Sequence, residues 1–288
     1  MHNEAAHIER VVRAVAAQEL LPARWIVVDD GSTDGTLEIL RALEPQVSFM
    51  TVLEAAHTKT PDVRDRLAVA GEARNFNAGL ATAGWRSYSH VMKLDGDIEL
   101  PRNYLRVLLE RFAADPKLGL AGGVLIEPTA AGGMRPLKIP RAHVHGALKL
   151  YTRDCFEAIG GIRERLGWDT IDGTYARMHG FRTHSFPDIV SIHHRPAGCA
   201  DGILRGRARL GECAYIVCSP TYWVLARSLK VATYPPRLLS GAAFLYGYAR
   251  AAARRVERVP DPSYRRFARR EARRRVARIL SFARIRGS

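Results

Sequence analysis

The sequence predicts an α/β protein whose sheet is mostly parallel and is flanked by helices. Short apolar runs, such as residues 25–28 and 90–94, alternate with longer amphipathic stretches, which is the pattern of βα units. Both runs end in an acidic cluster, Asp-Asp-Gly-Ser-Thr-Asp at residues 29–34 and Asp-Gly-Asp at residues 95–97. Because open α/β sheets bind ligands beyond the carboxyl ends of their strands, the clusters mark the predicted functional edge.

The individual elements follow from the spacing of apolar residues. Ile8, Val11 and Val15 recur at helical spacing and predict a first helix that has Asn3 as its N-cap and ends near residue 18. A polar stretch at residues 56–66 predicts a loop, and a Gly-rich stretch at residues 129–134 predicts a mobile loop over the site. Strands are predicted at residues 25–29, 47–53, 90–94, 118–126, 146–152 and 188–194, and further helices at residues 34–43, 71–83, 104–114 and 172–179.

From residue 214 the chain becomes a succession of apolar, aromatic-rich runs and basic segments. The runs at residues 214–226 and 238–248 are each shorter than the roughly 20 residues that span a bilayer. They predict either core helices or a helical hairpin at a membrane interface, and the aromatic residues and cations at their ends favour the hairpin. We therefore predict an α/β domain at residues 1–195, interfacial helices at residues 196–249 and an Arg-rich tail at residues 250–288.

The positive charge of the chain is concentrated in that tail. The formal net charge of the whole chain is +15, and residues 249–288 carry fourteen arginines against three acidic residues, a net of +11. Such a run predicts either a solvated helix face or a surface for an anionic partner, with phospholipid head groups and nucleic acid as the candidates. We expect an anionic membrane surface as the partner and expect no nucleic acid.

The composition indicates a globular protein of a reducing compartment. At 288 residues, of which 47% are hydrophobic, the chain is long enough for one large α/β domain and an appendage. Its four cysteines have neither Cys-x-x-Cys nor zinc spacing, so we expect free thiols. No signal peptide is recognisable after Met1. We expect a cytoplasmic protein that is peripheral on the inner face of the cell membrane.

The acidic clusters suit the binding of a divalent cation together with phosphate. Carboxylates one residue apart at a strand end, as Asp95 and Asp97 are predicted to be, suit Mg²⁺, which takes one or two carboxylates and leaves other positions to a substrate diphosphate. The alternative is structural, because Asp-Gly-Ser-Thr-Asp is also good turn chemistry and residues 32–34 can cap the next helix. The occurrence of both clusters, each after a strand, favours the binding interpretation.

Together the two clusters resemble the family 2 glycosyltransferases of the GT-A (Rossmann-like) fold. The likeness extends from His-Asn-Glu at residues 2–4 through Arg-Asn-x-Asn at residues 74–77 to Trp-Asp-Thr-Ile-Asp at residues 168–172, and covers about the first 195 residues. The resemblance implies sugar transfer from a nucleotide diphosphate donor, usually with inversion and with Mn²⁺ or Mg²⁺. The family has an apolar strand before the Asn-Glu motif that has no counterpart here, so we expect the first strand of the sheet to be missing.

The resemblance also implies which residues bind the metal. Asp97 is expected to contact it directly, and Asp95 is expected to bind the metal or the ribose. Some relatives place a histidine at the end of the last strand as a further ligand, and His193 and His194 occupy that place here. An imidazole is a reasonable ligand for Mn²⁺. The alternative is that these histidines are hydrogen-bonded structural residues.

Donor-binding and catalytic roles are carried over in the same way. Glu4 is expected at the donor site, Asp30 beside the nucleotide base, and Arg74 near the base and the phosphates. The catalytic base, which takes the proton of the acceptor hydroxyl, is expected to be Asp172 or Asp169, and Asp172 aligns better with the family's position. The alternative for either aspartate is a helix cap.

The resulting prediction is an inverting, metal-dependent transferase whose acceptor is a lipid-linked sugar or a cell-surface polysaccharide. A Gln-x-x-Arg-Trp motif and several spanning helices, typical of processive members, are not found, which favours transfer of single sugars. One alternative is a polyanion-binding protein with a degenerate transferase domain. Another is a nucleotidyltransferase, a class that typically has a Gly-rich phosphate loop near its N-terminus, and no such loop is recognisable here.

Overall fold

The computed structural model of the chain describes residues 1–55, 69–129, 132–195 and 202–286. The chain divides into two compact units, Met1–Pro196 and Ala197–Ser288. The predicted boundary after residue 249 falls inside a helix that spans Leu239–Ala253. The predicted loop at residues 56–66 lies outside the described residues, as do two positions of the predicted loop at residues 129–134.

The first unit is an α/β domain, as predicted. Its strands are β1 (Trp25–Asp29), β2 (Met50–Glu54), β3 (His90–Leu94), β4 (Ile98–Glu99), β5 (Leu118–Pro128), β6 (Met134–Pro136), β7 (Leu148–Thr152) and β8 (Arg182–His193). Its α-helices are α1 (Ile8–Ala16), α2 (Thr36–Leu43), α3 (Gly71–Ala83), α4 (Tyr104–Ala114), α5 (Arg153–Ala158) and α6 (Trp168–Met178), and two 3₁₀ turns lie at Glu44–Gln46 and Trp85–Ser87. The unpredicted elements β4, β6 and α5 are six residues long or shorter, too short to show a clear periodicity.

The strands form two sheets, and the larger one is of mixed direction. β1 pairs in parallel with β2, and the second sheet has the order β3-β7-β5-β8-β4, with β6 paired to β5. Among the described strand pairs, only β1–β2 and β5–β8 are parallel. The prediction of a mostly parallel sheet is therefore wrong in its proportions, while the α/β class is confirmed. Apolar runs identify strands, but strand direction depends on the connections between them, which local periodicity does not report.

β5 is the central strand of the larger sheet and is buried along nearly its whole length. Its glycines permit this position, because a side chain at Gly123 would collide with the carbonyl oxygen of Ile189 on β8. α4 covers the sheet with the buried side chains of Tyr104, Leu108 and Phe112. The long, continuous apolar run of β5 is typical of a strand that is covered on both faces.

The segment before α1 is bound to the first acidic loop and does not cap the helix. α1 begins at Ile8 with His7 as its N-cap, so the prediction of Asn3 as the N-cap is wrong. Asn3 has a φ of 55°, its N–H donates to Ser32 Oγ at 2.9 Å, and its Oδ1 accepts from the N–H of Thr33 at 2.9 Å. Asn3 can take this conformation because asparagine tolerates the left-handed region better than most residues.

The described residues on either side of positions 130 and 131 lie at the paired ends of β5 and β6. Pro128 pairs with Met134 in the antiparallel register. The N–H of Thr129 donates to the carbonyl of Gly133 at 2.8 Å, and the N–H of Gly133 donates to Thr129 Oγ1 at 3.2 Å. The described part of this segment is therefore the end of a β-hairpin.

The second unit consists of helices in its described residues. They are α7 (Ile203–Ile216), α8 (Thr221–Val231), α9 (Leu239–Ala253) and α10 (Pro262–Arg286). The predicted apolar run at residues 214–226 is thus broken into two helices by a turn at Cys218, which has a φ of 60°. α7 and α9 meet backbone to backbone, since a side chain at Gly211 or Gly247 would collide with the facing helix.

Buried residues hold these helices together. Ala214, Val224, Val231 and Phe244 form a small core, and the basic segment joins the unit through Tyr264 of α10, which is buried. None of the described helices is long and apolar enough to cross a bilayer.

Candidate active site

Most of the first acidic cluster is engaged in turn structure. The carboxylate of Asp29 accepts hydrogen bonds from the N–H and the hydroxyl of Ser32. Asp34 accepts from the N–H of Thr36 at 3.1 Å and from the N–H of Ala5 at 3.0 Å. Two of the three carboxylates of this cluster therefore hold the loop and the preceding segment in place.

Asp30, predicted to face the nucleotide base, is the third carboxylate of this cluster. It is buried at the end of β1. Its N–H donates to the carbonyl oxygen of Met1 at 2.7 Å, and its own carbonyl oxygen lies 3.0 Å from His2 Nδ1. The ammonium of Met1 donates to the carbonyl of Val28 at 2.6 Å. Residues 1 and 2 thus lie along the end of β1.

The second cluster and the end of β8 bring together Asp97, His193 and Glu127. Nε2 of His193 lies 3.3 Å from Oδ2 of Asp97, and its Nδ1 lies 2.8 Å from Oε1 of Glu127. All three side chains are largely buried. Burial alone lowers the pKa of His193, but the hydrogen bonds and charges of the two carboxylates outweigh burial and raise it. Burial raises the pKa of Asp97, and the hydrogen bond and charge of His193, with the charge of Arg195, outweigh burial and lower it.

The two adjacent histidines of β8 have different surroundings. His194 Nε2 lies 2.8 Å from Oε2 of Glu99, its Nδ1 lies 3.3 Å from the guanidinium of Arg10, and its ring stacks on His7 at 5.4 Å. Both ring nitrogens are thus engaged away from Asp97. The structure therefore favours His193, and not His194, as a ligand beside Asp97.

Glu4 is connected to Asp97 through Arg195. The guanidinium of Arg195 forms an ion pair with Glu4, and its Nε lies 3.8 Å from Oδ2 of Asp97. Burial first, and the charge of Asp97 second, raise the pKa of Glu4 to about 7, although Arg195 opposes both. The predicted site residue Glu4 therefore lies in the same cluster as the predicted metal ligand Asp97.

Asp95 is the more exposed member of its pair, and it is ion-paired with the buried Lys93. Its N–H donates to the carbonyl of Ala147 at 2.9 Å, which brings β3 beside the start of β7. Because an ammonium already neutralises this carboxylate, Asp97 is better suited than Asp95 to bind a cation directly.

Arg74 lies in the first turn of α3, near the segment that is outside the described residues. Its Nε is buried and has no hydrogen-bond partner in the part of the chain that the structure describes. In the same turn, Oε1 of Glu72 accepts from the indole N–H of Trp168 at 3.0 Å, which connects α3 to the start of α6. The role of Arg74 near the base and the phosphates stays a prediction.

Asp172, the preferred candidate for the catalytic base, is enclosed in an ion pair. Lys149 Nζ donates to both of its carboxylate oxygens at 2.8 Å, and the hydroxyl of Tyr151 donates to it as well. Asp172 is 1% exposed and Lys149 is 0% exposed. A carboxylate that is buried and bound by an ammonium and a phenol does not reach an acceptor, so the geometry is against Asp172 as the base.

Asp169 lies one turn earlier and has the access that Asp172 lacks. Its side chain is 35% exposed, and Oδ2 lies 3.7 Å from Nε2 of His143. Its backbone carbonyl accepts a 2.7 Å hydrogen bond from Lys149 Nζ. The same ammonium therefore holds the first turn of α6 through the Asp169 carbonyl and through Asp172.

His145 lies between the two halves of the site. The charges of His143, His193 and Asp169 all act on it, and burial as the main cause lowers its pKa to about 4. Its Nε2 is buried and lacks a hydrogen-bond partner among the described residues. A neutral imidazole has one donor and one acceptor nitrogen, so His145 is an uncharged polar side chain that interacts with groups of both the Asp97 cluster and Asp169.

Sequence reasoning missed several residues of this site. A lysine inside an apolar strand is a signal of a buried ion pair, so Lys149 was detectable, and Arg195 directly follows the two predicted histidines. Glu127, His143 and His145 gave no such signal, because only the pairing of strands brings them to the site. The missed residues are Glu127, His143, His145, Lys149, Tyr151 and Arg195.

The residues around Asp97 fit a divalent cation. A metal-binding histidine usually hydrogen-bonds a carboxylate through its second ring nitrogen, and Glu127 is placed to do so for His193. Three or more His, Cys, Asp or Glu side chains grouped for metal binding are not found in the described part of the chain. At a diphosphate site Mg²⁺ is held by one or two carboxylates together with substrate phosphates, so Asp97 can serve as the protein's carboxylate, and His193 adds a ligand that suits Mn²⁺.

Comparisons with known proteins identify the family of the chain. The family model described as "Glycosyl transferase family 2" matches residues 1–163. The poly-beta-1,6-N-acetyl-D-glucosamine synthase of Staphylococcus aureus (strain COL) is 30% identical over 122 residues, which is 42% of this chain and 26% of the synthase. The match thus spans about a quarter of the length of that relative.

Solved structures share the fold at low sequence identity. The mannosyltransferase PcManGT from Pyrobaculum calidifontis, in complex with GDP-Man and Mn²⁺, has a TM-score of 0.54 and 21% identity over 94% of this chain and 82% of its own. S. aureus TarS 1–349 in complex with UDP has a TM-score of 0.53 and 13% identity over 88% of this chain and 89% of its own. Because the family model covers more than half of the chain, this protein belongs to glycosyl transferase family 2, and it has the GT-A fold.

Proposed function

We propose that the protein is an inverting, metal-dependent glycosyltransferase in which Asp169 is the catalytic base. The observation that carries the proposal is that two carboxylates of the domain, Asp97 and Asp169, have different environments. Asp97 is buried against His193, whereas Asp169 is half-buried and solvent-accessible beside His143. The first environment suits a cation that stabilises the anionic diphosphate leaving group. The second suits a base that meets an acceptor.

The chemistry assigned to Asp169 is a single displacement. Its carboxylate takes the proton of an acceptor hydroxyl while the oxygen of that hydroxyl bonds to the anomeric carbon and the bond from that carbon to the nucleotide diphosphate breaks. Inversion follows when the hydroxyl attacks opposite the leaving group. Lys149 supports this role by holding the Asp169 carbonyl at 2.7 Å, so the first turn of α6 is fixed before substrate binds.

Asp97 and His193 would hold Mn²⁺ or Mg²⁺, with Glu127 orienting the imidazole. When bound, the cation supplies positive charge that stabilises the departing diphosphate. The Mn²⁺ in the PcManGT structure is consistent with this assignment. Asp95, Asp30, Glu4 and Arg74 are proposed to contact the donor.

The donor is proposed to be a nucleotide diphosphate sugar, and the acceptor a lipid-linked sugar or a cell-surface polysaccharide. GDP-Man and UDP in the two structural neighbours support the first proposal. The polysaccharide synthase among the relatives supports the second. The match covers only about a quarter of that synthase, so the proposed acceptor class rests on this likeness alone.

The protein is further proposed to act on the cytoplasmic face of the cell membrane as a peripheral protein. The second unit supports this location because exposed apolar side chains such as Tyr222, Leu229, Leu238 and Tyr246 occur beside its many arginines. Interfacial helices combine these two features, apolar residues that enter the head-group region and cations that meet anionic lipid.

Release of nucleotide tests the proposed activity. The purified protein is incubated with UDP- and GDP-sugars, with and without Mn²⁺, and free nucleotide diphosphate is quantified. Mn²⁺-dependent release with one donor, lost on chelation and in Asp169→Asn, is the expected result. A protein that binds polyanions through a degenerate domain releases none with any donor, and that result would refute the proposal.

A further inference from the structure

A cleft in the second unit is lined by convergent arginines. It has a volume of about 320 Å³ and lies where the turn between α7 and α8 faces α10. Its polar lining comes from Arg258, Arg269, Arg273, Ser219 and Thr221. The described residues that line it include no Asp or Glu, so the cleft carries three guanidinium groups without a lining carboxylate.

The arginines are arranged for an anion. Nε of Arg258 donates to the carbonyl of Tyr215 at 3.2 Å, and its guanidinium lies 4.8 Å from the centre of the Tyr215 ring. This cation is therefore held in place before any ligand binds. Arg269 and Arg273 are four residues apart on α10, where two like charges repel. A bound anion would remove that repulsion, and guanidinium groups match phosphate oxygens in pairs.

The start of α8 adds donors to the same cleft. α8 begins at Thr221 after Pro220, whose side chain has no polar atom to cap the helix. The first N–H groups of a helix point out of its N-terminus and favour negative charge. With the hydroxyls of Ser219 and Thr221, these groups complement the arginines on the opposite wall.

An exposed apolar face of α8 starts at the cleft. Tyr222, Leu225 and Leu229 are 44%, 52% and 73% exposed, and their spacing places them on one side of the helix. The other side is buried through Val224 and Val231. Tyr222 belongs to both the cleft lining and the apolar face, so a polar, phosphate-binding end and an apolar surface are continuous.

We propose that this cleft binds the phosphate group of a phosphomonoester lipid while the apolar face of α8 lies against the acyl layer. A phosphate monoester carries close to two negative charges at neutral pH, which matches three guanidinium groups better than the single charge of a diester. The inference rests on the proposed membrane association and makes it specific for a head group. It does not depend on sugar transfer.

Vesicle flotation in the presence of EDTA tests the proposal with the full chain and without any donor. Vesicles of phosphatidylcholine contain either phosphatidic acid, a phosphomonoester, or phosphatidylserine at equal surface charge. The full chain is expected to bind the phosphatidic acid vesicles more tightly, and Arg269→Gln with Arg273→Gln is expected to weaken that binding by about tenfold and abolish the preference. Arg270→Gln with Arg274→Gln is the matched control, since it removes the same charge at the same spacing of α10 but outside the cleft.

The control pair is expected to weaken binding to both vesicle types alike and to retain the preference. Replacement of Arg269 and Arg273 by Lys is expected to retain binding to phosphatidylserine and lose the preference, because an ammonium lacks the guanidinium fork. Equal behaviour of the cleft pair and the control pair would overturn the proposal. Three other results would also overturn it. The cleft could be saturated by inorganic phosphate while the protein shows no preference among vesicles, or the protein could bind RNA in a manner that only the cleft pair loses. The third is a self-associated protein that does not float with vesicles.

Discussion

The ammonium of Lys149 lies 2.8 Å from both carboxylate oxygens of Asp172, and neither side chain reaches solvent. The hydroxyl of Tyr151 completes the shell of this carboxylate. The pair connects β7 to α6 and so fixes the turn of α6 that presents Asp169. We therefore propose that Asp172, which the sequence predicted as the catalytic base, instead helps to position the neighbouring carboxylate of Asp169.

Lys149→Met should destabilise the protein strongly. The substitution keeps the volume but leaves a buried carboxylate without its cation, which costs about 3–5 kcal/mol. Adding Asp172→Asn should recover most of this loss, because the lone charge is removed and the amide can still accept from Tyr151. Urea denaturation of the single and double variants measures the free energies of unfolding. The exposed Lys138→Met serves as the control, and a loss of stability in Lys149→Met no larger than in that control would contradict the buried ion pair.

Asp169→Asn should lower turnover by about a hundredfold or more while donor binding is nearly unchanged. Loss of the carboxylate removes the proton acceptor but leaves the Asp97 cluster in place. Single-turnover rates and donor titrations separate the two effects. Asp154→Asn is the matched control, since Asp154 also lies in the first turn of a helix and is exposed. If Asp172→Asn slowed turnover more than Asp169→Asn without loss of stability, the base would be Asp172 as the alignment suggested.

Asp97→Asn should weaken Mn²⁺-dependent donor binding by about a hundredfold. Glu127→Gln should weaken it by about tenfold, because Glu127 acts on His193 through a hydrogen bond. Calorimetric titration of donor with and without Mn²⁺ gives both values. Glu99→Gln is a sharp control, since Glu99 makes the corresponding contact with the neighbouring His194. Equal losses in the Glu99 and Glu127 variants would argue against His193 as the ligand.

His145 should make folding stability fall with acidification. Burial lowers its pKa from 6.5 to about 4 in the folded protein, so between those values the unfolded chain takes up a proton that the folded protein excludes. Its contribution is complete above pH 6.5 and is lost as the pH falls towards 4, by about 3 kcal/mol at most.

His145→Gln should therefore flatten the decline of stability between pH 6.5 and 4 relative to the unsubstituted protein. The quantity to compare is the difference in unfolding free energy between the two proteins at each pH. Glu4, with a pKa raised to about 7, favours folding as the pH falls, and this opposing effect is the same in both proteins. Denaturation midpoints across the range supply the curves, and the exposed His179→Gln is the control. If stability fell equally with pH in His145→Gln and in the unsubstituted protein, folding would not prevent the protonation of His145.

Strongly periodic segments were predictable to the residue. α3, β3 and α4 begin and end where apolar spacing places them, because each buries one face in a manner that its own residues dictate. α6 and β8 begin four and six residues earlier than predicted. Their first residues are set by contacts with other elements, as when Arg182 pairs with Leu118 of β5.

The sequence by itself determined the α/β class, the family and the place of both acidic clusters, since these depend on local order along the chain. Only the tertiary structure decided the surroundings of each carboxylate. Pairing of β3 with β7 and packing of α6 bring Lys149 against Asp172 and leave Asp169 accessible, and the return of β8 places His193, and not His194, against Asp97. Protonation and access depend on burial and on charges from distant parts of the chain, and spacing along one segment contains neither.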